Sequence, residues 1–68
     1  MTSKMYEFRV DGRLPAQELE MFGDMRVEEV PPGLILRGEV IDECHLYAII
    51  VRFRALGLRI VSAQPVRR

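Results

Sequence analysis

Sixty-eight residues, 49% hydrophobic and 29% charged, leave room for one small globular domain and exclude a disordered chain. One cysteine excludes a disulfide-stapled scaffold, no apolar run approaches the roughly 18–20 residues of a membrane span, and no apolar stretch precedes Glu7 and Arg9 to act as a signal peptide. Net charge is zero but unevenly spread: residues 1–43 carry all ten acids against five bases, a balance of −5, and residues 44–68 carry five arginines and no acid, +5.

A cytoplasmic domain spanning residues 1–68 is expected, with 1–4 and 67–68 as flexible ends. In "MYEFRVDGRL", Tyr6, Phe8 and Val10 alternate with Glu7, Arg9 and Asp11, the period of a half-buried strand. "PAQELEMFG" then predicts a helix of about two turns, with Pro15 at its first position, Leu19 and Phe22 on one face, and Gly23 as a left-handed stop. "DMRVEEV" and "LILRGEV" resume the alternation around the turn "PPG" and predict a hairpin. Gly38 falls on the inward face of its second strand, where a bulge or a close approach by the long helix is expected.

Asp42 is a good N-cap for the longest helix, predicted over Asp42–Leu56. Leu46, Ile49, Ile50, Phe53 and Leu56 form its buried stripe, and Gly57 is placed to end it. "LRIVSAQPV" predicts a final strand, which Pro65 closes or confines to an edge. The resulting order is βαββαβ. Its usual solution is an α+β, ferredoxin-like fold: a four-stranded antiparallel sheet with a short first helix and one long second helix on one face. The segments "FRVDGRL", "GEVID", "HLYAIIVRFRALGL" and "RIVSAQPV" resemble small uncharacterised α+β proteins common in actinobacteria. That resemblance implies the same fold and brings no activity, cofactor or site.

The adjacent Cys44 and His45 raise the possibility of reactive or metal chemistry. Neighbouring helix positions diverge by about 100°, so the two cannot aim at one ion, and a metal needs several converging ligands. A cysteine in a first helical turn is open to oxidation or modification. The sequence places no second group there to make it a nucleophile, so no catalytic, cofactor or metal residue is expected and both side chains should be dispensable. The five glycines are scattered one per turn or strand, which offers no phosphate-cradling loop. Stacking aromatics for RNA are not expected on the open sheet face, because Tyr6 and Phe8 have the core parity.

That open face is where a partner is expected. Met5, Glu7, Arg9, Ile35, Arg37, Glu39, Arg59 and Val61 share its parity, Ala63 is assigned to it as well, and Val30 can join them. Charges paired across strands among aliphatic side chains read as an interaction surface. The favoured function is a non-enzymatic association or accessory module, expected as a homodimer through this face or a sheet edge, with Ile35 near the centre. A regulatory domain binding a small molecule is the alternative. Nucleic-acid contact through Arg52, Arg54, Arg59, Arg67 and Arg68 is weaker still, because acids near a helix start and arginines near its end also complement the helix dipole.

Overall fold

Alternating apolar and polar side chains can be half buried only in an extended chain, and four such segments pair into one sheet. A computed structural model of the chain describes residues 3–66: strand β1 (Lys4–Asp11), helix α1 (Ala16–Leu19) continued by a 3₁₀ turn over Glu20–Phe22, strands β2 (Arg26–Val30) and β3 (Gly33–Val40), helix α2 (Glu43–Ala55) and strand β4 (Arg59–Pro65). The sheet order is β2-β3-β1-β4 and every pairing is antiparallel. This is the α+β, ferredoxin-like arrangement expected. Pro65 lies in an edge strand, where a missing amide costs no ladder bond on the solvent side.

Both helices cover one face. Phe8 of β1 meets Phe53 of α2 edge-on at 5.3 Å between ring centroids, and Phe22 of the 3₁₀ turn stands 5.3 Å from the same Phe53 ring. With Val10, Leu34, Leu36, Val40, Ile49 and Leu58 they form a single buried cluster. Phe53 touches sheet and turn together, which makes it the centre of the core.

The ends of α2 are set by side chains and by one glycine. The Asp42 carboxylate accepts a hydrogen bond from the His45 amide at 2.8 Å, satisfying an amide that has no partner inside the helix. At the other end the Leu58 amide bonds the Phe53 carbonyl and the Gly57 amide bonds the Arg54 carbonyl, both at 3.0 Å. This pairing closes the helix only if the intervening residue is left-handed, and Gly57 is, at φ 78°. Leu58 is thereby turned back under Phe53, and both are buried.

Several local expectations are corrected. Pro15 is the cap of α1 rather than its first helical residue, and Gly23 has φ −61°, so the helix ends by tightening into a 3₁₀ turn instead of at a left-handed stop. Gly38 marks neither a bulge nor an approach by α2. A Cβ there would stand 2.8 Å from the Met25 side chain, which crosses the strand at that point. The bulge lies in β4 instead. Val10 pairs with Ile60 and Arg9 with Ser62, leaving Val61 as the extra residue. Beyond it the parity flips, so Ala63 lies opposite Phe8 on the covered face, and Ser62 and Gln64 take the open-face positions. Lys4, expected in a flexible end, opens β1 opposite Val40. Residues 1, 2, 67 and 68, assigned to the same ends, lie outside the described residues.

Candidate interaction surface

The Cys44-His45 corner is a helix cap. His45 Nδ1 accepts a hydrogen bond from the Ile41 amide at 3.0 Å, while the His45 amide donates to Asp42. Backbone amide and side chain of His45 thus bind the two residues that precede the helix, a variant of the capping box in which the side chain reaches one residue further back than the N-cap. Cys44 is exposed. Among the described residues no group of three or more His, Cys, Asp or Glu side chains gathers as a metal site.

On the open sheet face, register sets Met5 opposite Glu39, Glu7 opposite Arg37, Arg9 opposite Ile35, and Asp11 opposite Arg59. Arg37 is the hub. Its Nε donates to Glu7 at 3.1 Å, and another guanidinium nitrogen stands 3.5 Å from Glu28 on β2. Arg26 lies directly opposite Arg37, a repulsive placement that the two acids offset. Arg9 approaches Glu7 along its own strand at 3.8 Å, and Glu39 accepts from the Ser3 hydroxyl at 3.4 Å. Ile35, between Arg9 and Glu28 in register, is only 7% exposed. The centre of this face is therefore closed within one chain, and the exposed aliphatics, Val61 at 58% and Val30, sit at one end.

The described arginines beyond Cys44 do not form one basic patch. The Arg52 guanidinium lies 5.6 Å from the Phe22 ring centre, on the α1 side of α2. Arg54, about 200° further round the helix, shares a shallow depression with Arg59 and Leu58 on the β4 side. An open groove of about 680 Å³ runs past Met25 and Gly38 to His45 and is lined by charges of both signs.

A surface that the sequence reading passes over is the outer face of α2. Leu46, Ile49, Ile50, Phe53 and Leu56 turn toward the sheet. At about 100° per residue, Cys44, Tyr47, Ala48, Val51 and Ala55 fall together within an arc of about 100° on the opposite side. All five are exposed, Tyr47 at 64% and Val51 at 63%, and none carries a charge. Surface helices ordinarily turn a polar face to water. The signal was present in the sequence: from Cys44 to Val51 His45 is the only strongly polar side chain, so two turns of helix have no charged side to expose.

A family profile defined as a domain of unknown function covers residues 5–64, nearly the whole folded unit from β1 to β4. The chain belongs to DUF8691. The match begins inside β1 and ends inside β4, so the family's common element is the complete four-stranded unit with both helices. No curated protein and no solved structure matches the chain. None of the helices described is long and apolar enough to cross a membrane.

Proposed function

We propose that this DUF8691 domain is a non-enzymatic association module that works as a homodimer. The observation that carries the reading is the uncharged, exposed outer face of α2, five side chains wide, on a domain whose core is small for its surface. Burying that face in a second chain removes apolar surface from water at roughly 25 cal/mol per Å² and supplements a core that is marginal alone. The −5 and +5 halves of the chain supply complementary charge around such a contact. The His45 ring and Asp42 carboxylate, both engaged at the start of α2, support the same reading by accounting for polar groups that would otherwise be candidates for chemistry.

Sedimentation equilibrium of the full chain across a dilution series tests the reading. A mass near twice 7.9 kDa at high micromolar concentration, falling on dilution, is expected. A constant mass of 7.9 kDa across the series removes self-association.

A further inference from the structure

Resting on the association reading above, we propose that two copies pair through the outer faces of α2, with the helices antiparallel across a two-fold axis beside Ala48. The face fits another helix of its own kind. Cys44, Ala48 and Ala55 are small and allow close approach, toward the short end of the usual 8–10 Å between helix axes. Tyr47 and Val51 supply the apolar bulk.

Charge selects the direction. Glu43 and Arg54 stand on one flank of the face, at opposite ends of the helix. A two-fold axis perpendicular to the helices returns each flank to itself with the ends exchanged. Glu43 of each copy then meets the partner's Arg54, an arrangement that occurs twice. Parallel pairing, about an axis along the helices, would exchange the flanks and set Arg54 beside the partner's Arg52 and Glu43 beside its His45, leaving each acid without an arginine. Antiparallel helix dipoles favour the same choice.

The charge register also fixes which residues meet. Midway between Glu43 and Arg54 lies the level of Ala48 and Ile49, and Ala48 is the exposed one of the pair. The two Ala48 residues therefore flank the axis, and the two Cys44 residues stand about 13 Å apart along the helix direction at 1.5 Å per residue. A contact between two 13-residue helices belongs to the weak class, below about 1,200 Å². It is therefore read at high chain concentration.

Cysteine cross-linking and charge swapping test the pairing. The full chain carrying Cys44→Ser and Ala48→Cys should form a disulfide-linked dimer under mild oxidation, whereas the wild type, with Cys44 alone, should not. Ala48→Glu and Ala48→Lys chains should each lose the dimer alone, weakened about tenfold or more by like charge at the axis, and recover it when mixed. Val61→Glu, on the sheet, should leave the dimer intact. A dimeric wild type that Val61→Glu dissociates and Ala48→Glu does not would overturn the helix pairing while leaving the association reading standing. A monomeric wild type would end both, and efficient linkage through Cys44 would overturn the antiparallel direction.

Discussion

Phe53 of α2 is a residue on which the fold depends strongly, because its ring packs against Phe8 of β1 and Phe22 of the 3₁₀ turn together. Truncating it leaves a cavity that the small core cannot close. Phe53→Ala is expected to cost about 3–5 kcal/mol, against a total stability of roughly 3–10 kcal/mol for a domain of this length, and to leave the chain largely unfolded in thermal and urea melts. Asp42→Ala acts more locally. It removes the acceptor for the His45 amide and should cost about 1 kcal/mol, with faster amide exchange confined to the first turn of α2. His45→Ala frees the Ile41 amide to water and should cost less than that. If His45→Ala proved the more damaging of the two, the side-chain cap would be wrongly ranked.

At the level of elements, the open sheet face and the outer face of α2 differ in what already covers them. Arg37, on β3, links to β1 through Glu7 and to β2 through Glu28. Arg37→Ala should destabilise the domain by on the order of 1 kcal/mol, and 1 M salt should narrow the difference from wild type in paired melts. An unchanged difference would mean that packing of the arginine stem outweighs the charges. The order of elements, the buried stripe of α2 and the inward parity of Phe8 and Leu36 were legible in the sequence, since each follows from local period. The bulge at Val61 was not, because it is a property of the register between β4 and β1 rather than of β4 alone. Crowding of Gly38 by Met25 was hidden for the same reason: it joins residues from different elements. Tyr47 and Val51 were legible but masked, since one stripe sufficed to bury α2 and a second goes unseen when only the strongest is read.

For the whole molecule, the consequence is a domain with two layers and an uncovered third side. Helices cover one sheet face and charge pairs close the centre of the other, which leaves the outside of α2 uncovered, alongside Val30 and Val61 at one end of the sheet. If a second copy supplies that cover, stability must depend on chain concentration. The melting temperature should rise by a few degrees over a hundredfold increase in concentration for wild type and stay fixed for Ala48→Glu. The most direct measurement is an isotope-filtered nuclear Overhauser spectrum of an equal mixture of labelled and unlabelled chains. Contacts between copies are predicted from the Tyr47 ring and Val51 methyls to Tyr47, Ala48 and Val51 of the partner. Contacts confined to Val30, Ile35 and Val61, or none between copies at high micromolar concentration, would contradict it.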